Sequence, residues 1–125
     1  MTGVLLLCDD LLFGSKVTAT ARAHGVSATV ARTPAAAVAK MQATAFATII
    51  VDLHLPNLDI DDFVAAAKSG QPLSRLVGFG SHVDVETLKA ARSAGVDPVM
   101  PRSQFSAQLE ERMTEWGERN RIGPS

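Results

Sequence analysis

Short runs of apolar residues recur along the chain, separated by stretches with helical patterning. The densest are Val4 to Cys8, Ala47 to Val51, Leu76 to Phe79 and Val96 to Met100; a weaker run, Val26 to Val30, is marked by β-branched residues. Apolar character within them is continuous rather than alternating, which predicts strands covered on both faces, as in a parallel sheet. The intervening stretches carry helical punctuation. Thr33-Pro34 supplies an N-cap and a proline at the first helical position, opening a helix over Ala35 to Ala43. Ile60, Phe63, Val64 and Ala67 repeat at helical spacing behind Asp59, a capping residue. Glycine stands where helices should stop, in His24-Gly25, Ser69-Gly70 and Ala94-Gly95. Phe105, Leu109, Met113 and Trp116 form the stripe of a last helix over Gln104 to Arg119.

Five strands alternating with five helices predict an α/β three-layer sandwich around a five-stranded parallel sheet with right-handed crossovers. With 125 residues and no linker, the expected organisation is one domain over residues 1–125. Composition adds exclusions. Thirteen acidic against twelve basic side chains give a net charge of -1, which offers no basic surface for nucleic acid. The apolar runs fall far short of the ~20 residues that cross a bilayer, and the first residues lack a basic leader, so the expected location is the cytoplasm, away from the membrane. A single cysteine excludes an internal disulfide, and Cys8 reads as core.

The candidate chemistry is acidic. Asp9 and Asp10 end the first strand and Asp52 ends the third. In the strand order 2-1-3-4-5, strands one and three are neighbours at the point where the order reverses, the position at which open α/β sheets bind ligands. Three unpaired carboxylates there repel one another unless a cation lies between them. Hard oxygen donors without thiolates suit Mg²⁺ or Mn²⁺.

Val4-Leu-Leu-Leu-Cys-Asp9-Asp10 and Ile49-Ile-Val-Asp52-Leu-His-Leu-Pro56-Asn-Leu-Asp59 resemble the acidic pair and phosphoacceptor loop of response-regulator receiver domains. The resemblance spans essentially the whole chain and implies a flavodoxin-like fold. It further implies that Asp52 accepts a phosphoryl group from a histidine kinase. Asp9, Asp10, Asp52 and the backbone carbonyl of His54 would hold the divalent ion. A kinase or downstream target would be met on the face of the fourth helix, fifth strand and fifth helix, with no enzymatic turnover.

Several positions depart from that pattern. The hydroxyl residue expected at the end of the fourth strand falls on Gly80, the lysine at the end of the fifth on Arg102, and the switch aromatic within the fifth on Val99. Ser103 replaces a proline, and Ile60 a glycine. Gly80 has no hydroxyl for a phosphoryl oxygen, a contact worth about 1.5–3 kcal/mol against a charged group. Ser81 is the nearest substitute, although adjacent strand residues face opposite ways. Arg102 keeps a lysine's charge but not its shape. The expectation is therefore a non-catalytic protein-interaction module, weakly activated by phosphorylation or not at all and requiring no cofactor; the alternative is a phosphorylatable single-domain regulator. His54 and His82 should overhang the pocket, as a titrating or Zn²⁺-binding rim or simply as solvated loop residues. A Mg²⁺-dependent phosphohydrolase wants an acid two residues after its nucleophilic aspartate, where His54 stands. A flavin-type phosphate binder would be repelled by Asp9 and Asp10.

Overall fold

The computed structural model describes residues 2–118. Ten elements alternate along the chain: β1 (Val4–Leu7), α1 (Leu11–Ala23), β2 (Ala28–Ala31), α2 (Pro34–Ala43), β3 (Thr48–Asp52), α3 (Ile60–Gly70), β4 (Arg75–Gly80), α4 (Val85–Ala94), β5 (Val99–Pro101) and α5 (Arg102–Trp116). The strands form one parallel sheet in the order β2-β1-β3-β4-β5, as the alternation and the resemblance led one to expect. None of the described helices is long and apolar enough to cross a membrane.

Both sheet faces are apolar because neighbouring strand residues point in opposite directions. Leu5, Leu7, Ile49 and Val51 pack with Met41, Phe63, Val64 and Leu88, beneath α2, α3 and α4. Val4, Leu6, Ile50, Val77 and Phe79 pack with Phe13, Val17, Phe105, Met113 and Trp116, beneath α1 and α5. Asp52 follows the parity of Ile50 and so belongs to the α1/α5 side of the sheet.

Strand and helix limits shift where backbone donors are already committed. The Val26 amide still bonds Ala21 at the end of α1, so β2 starts at Ala28 and not at Val26. Pro98, joined to Asp97 by a cis peptide bond, has no N–H for the ladder, and β5 begins after it rather than at Val96. The last helix starts at Arg102 instead of Gln104, with Pro101 as its N-cap. The expected final residue of that helix, Arg119, lies outside the described residues. At the opposite end of the sheet, Thr48 donates its hydroxyl to the Trp116 carbonyl at 2.7 Å and fixes the end of α5.

Candidate functional site

Asp52 terminates β3 and is only 7% exposed. Its Oδ1 accepts the His54 amide at 3.0 Å, and its Oδ2 faces the Cys8 thiol at 3.8 Å. Cys8 is buried, and that burial, ahead of the charge of Asp52, pushes the thiol above its ordinary pKa. It is a weak donor to the carboxylate and no nucleophile, in keeping with its reading as core.

Asp10 serves two structural purposes at once. Its Oδ1 accepts the Phe13 amide at 3.0 Å and caps α1; its Oδ2 accepts from Arg102 Nη2 at 2.9 Å. Arg102 makes the second contact from the first turn of α5. The Arg102 guanidinium lies 4.1 Å from the centroid of the Phe13 ring and 5.7 Å from that of Phe79. A planar cation suits such a platform far better than an ammonium does. The Phe13 amide first, and the guanidinium second, hold the Asp10 carboxyl below its ordinary 3.8.

The expected cage of Asp9, Asp10 and Asp52 is not assembled. Among the described residues, no three His, Cys, Asp or Glu side chains converge as metal ligands. Asp9 is exposed, and both Asp10 oxygens are engaged, one by the Phe13 amide and one by the Arg102 guanidinium, which meets the charge of Asp10. A divalent ion at this corner would have to compete with Arg102 for Asp10.

A cavity of about 310 Å³ nevertheless opens over Asp52, lined in part by His54, Gly80, Ser81, His82 and Arg102. Both expected rim histidines are there, but they differ. His54 is bonded across the mouth: its Nε2 accepts the Ser81 amide at 2.8 Å, and its Nδ1 lies 3.8 Å from Asp84 Oδ2. His82 is exposed. The Ser81 hydroxyl is turned back to the Val83 amide at 3.4 Å. Val99 is buried on the other face of the sheet, among Leu88 and Val96, away from the cavity.

The platform under Arg102 and the bond from Ser81 to His54 went unread in the sequence. Phe13, one turn into α1 and three residues after Asp10, was the available signal for the platform. Nothing in the local pattern announced the bond to His54.

No family model matches the chain, and no curated protein matches it in sequence. Solved structures do match. The chemotaxis response regulator CheY4 of Vibrio cholerae superposes with a TM-score of 0.78 at 20% identity, over 92% of this chain and 98% of that one. The beryllofluoride-activated NtrC4 receiver domain gives 0.75 at 22% identity, over 93% and 99%. A Burkholderia pseudomallei response regulator, solved with a phosphorylated aspartic acid and a calcium ion, gives 0.75 at 22%, over 92% and 70%. The fold is that of response-regulator receiver domains. Within this receiver fold, the acidic corner is arranged around an arginine.

That arrangement has a signature in acid. A carboxyl whose folded-state pKa is lowered contributes stability above its unfolded pKa, and the contribution is lost as pH falls through the folded value. Asp10 is lowered as described; Asp84 is lowered by the Thr87 hydroxyl and amide and then by His54. Stability should hold from neutrality to about pH 4 and decline below it. Urea unfolding at pH 7 and pH 3 should show a smaller difference for Asp10→Asn than for the unaltered protein. An equal difference would mean that Asp10 gains nothing from its partners.

Proposed function

We propose that this receiver-fold chain is a signalling module that works by binding partner proteins and is not switched on by phosphorylation of Asp52. The observation that carries the reading is the Arg102–Asp10 pair at 2.9 Å, a fixed positive charge in the corner where a divalent ion would have to sit. Two further features support it. Gly80 offers no hydroxyl beside Asp52, and Val99, packed in the core, offers no ring to swing toward the pocket. A decisive two-state shift takes about 5.5 kcal/mol of differential binding, and each missing contact lowers what a phosphoryl group can supply.

On this reading the partner is a histidine kinase or a downstream target, and the docking face is built from α4, β5 and α5. β5 is an edge strand of the sheet, and Arg92 ties α4 to it through the Val99 carbonyl at 3.2 Å. The module has no turnover of its own and acts in the cytoplasm.

Amide spectra with Mg²⁺ and beryllofluoride test the reading. No saturable shift is expected at Asp52, Gly80, Ser81 or Arg102. Saturable shifts that extend into α4 and α5 would instead establish Asp52 as a phosphoacceptor in a working switch.

A further inference from the structure

We propose that His54 is a built-in occupant of the Gly80 side of the Asp52 pocket: its imidazole takes the Ser81 amide and fills the space above Gly80, so an incoming phosphoryl-type oxyanion gains that amide only by displacing the ring. Only the identity of the incoming group rests on the receiver reading; the occupancy itself rests on three observations.

The first is the bond. The Ser81 N–H, immediately after β4, points at the pocket and would be a natural donor to an oxyanion, yet at 2.8 Å it is spent on His54 Nε2. The second is the fit. A Cβ at Gly80 would come within 3.0 Å of His54 Nε2, 3.3 Å of its Cδ2 and 3.2 Å of Leu88 Cδ2. Gly80 does not have the positive φ seen at Gly3, Gly25 and Gly95, so its conformation does not call for glycine. Room for the imidazole does. The third is the anchoring. Acceptance at Nε2 leaves the ring proton on Nδ1, the nitrogen that faces Asp84, and Asp84 is itself held by the Thr87 hydroxyl at 2.7 Å. The His54 main chain meanwhile donates to Asp52. One residue thus engages the carboxylate through its backbone and the Ser81 amide through its ring. The glycine at 80 and the histidine at 54 form a matched pair: any side chain at 80 makes the ring, or Leu88 behind it, give way by a few tenths of an ångström.

Hydrogen exchange at the Ser81 amide reads the occupancy directly. His54→Ala should speed that exchange about tenfold. Gly80→Ala should speed it similarly by pushing the ring aside, and should add nothing once His54 is alanine. Unchanged exchange in either single variant, or additive effects in the double, would overturn the pairing whatever the chain does in signalling. For the oxyanion, beryllofluoride with Mg²⁺ is compared in Arg102→Lys and in Arg102→Lys/His54→Ala by ¹⁹F NMR, with the guanidinium absent from both. Removing the ring should lower the concentration needed for binding at least about tenfold. Equal binding, or none in either, would refute the displacement claim and leave the reading from Arg102 intact.

Discussion

Phe105→Ala should lower the unfolding free energy by about 3–5 kcal/mol, a large part of the stability a domain of this size has to lose. Phe105 is fully buried and forms the middle of an aromatic chain. Its ring stacks on Phe79 at 4.7 Å and on Trp116 at 5.3 Å, and it leans on Phe13 at 5.8 Å. Truncation removes the side chain's own burial, leaves a cavity, and forfeits pair contacts worth about 0.5–1.5 kcal/mol each. The effect should reach the site, because Phe13 and Phe79 are the platform under Arg102. Trp116, the sole tryptophan and 1% exposed, reports unfolding in urea and should already emit to the red in the folded variant. Phe105→Leu, which refills much of the space, should cost well under half as much. A loss below about 1 kcal/mol for the alanine variant would mean that the stack is not the core of the α1/α5 layer.

Most of the fold was legible because its signals are local. Continuous apolar runs such as Ile49-Ile50-Val51, and caps such as Thr33 and Asp59, specify elements within a few residues of themselves. The structure has Thr33 accepting from Ala36, and Asp59 accepting from Asp62, as capping requires. Boundaries were less legible where a proline or a helix end claims the backbone, as at Pro98 and Val26. The site was half legible. Residue types at strand ends point to Asp52 and its cavity, but whether three carboxylates share an ion depends on what long side chains do. Arg102, in the first turn of α5, reaches Asp10, and no periodicity encodes that contact. Gln71 is a further example. Buried, it donates to the Met41 and Thr44 carbonyls and accepts the Phe46 amide, joining the end of α2 and the loop before β3 to the end of α3 through contacts 25 to 30 residues apart in sequence. Only the assembled fold discloses such a residue.

Replacing Arg102 separates its two possible roles by magnitude. The Arg102 and Asp10 side chains are 42% and 43% exposed, so the pair contributes only about 0–1 kcal/mol to folding, and Arg102→Ala should be nearly as stable as the unaltered protein. Its effect on a cation should be far larger. The substitution removes a like charge from the acidic corner and frees one oxygen of Asp10, while Arg102→Lys restores the charge without the planar stack and should fall between. The deciding measurement is a Mg²⁺ titration of the unaltered protein beside Arg102→Ala, followed through the amides of Asp9, Asp10 and Asp52. Weak, unsaturated shifts in the unaltered chain and at least about tenfold tighter binding in the variant are expected if the guanidinium stands in the cation's place. Unaltered protein that binds Mg²⁺ as tightly as the variant, or more tightly, would contradict it.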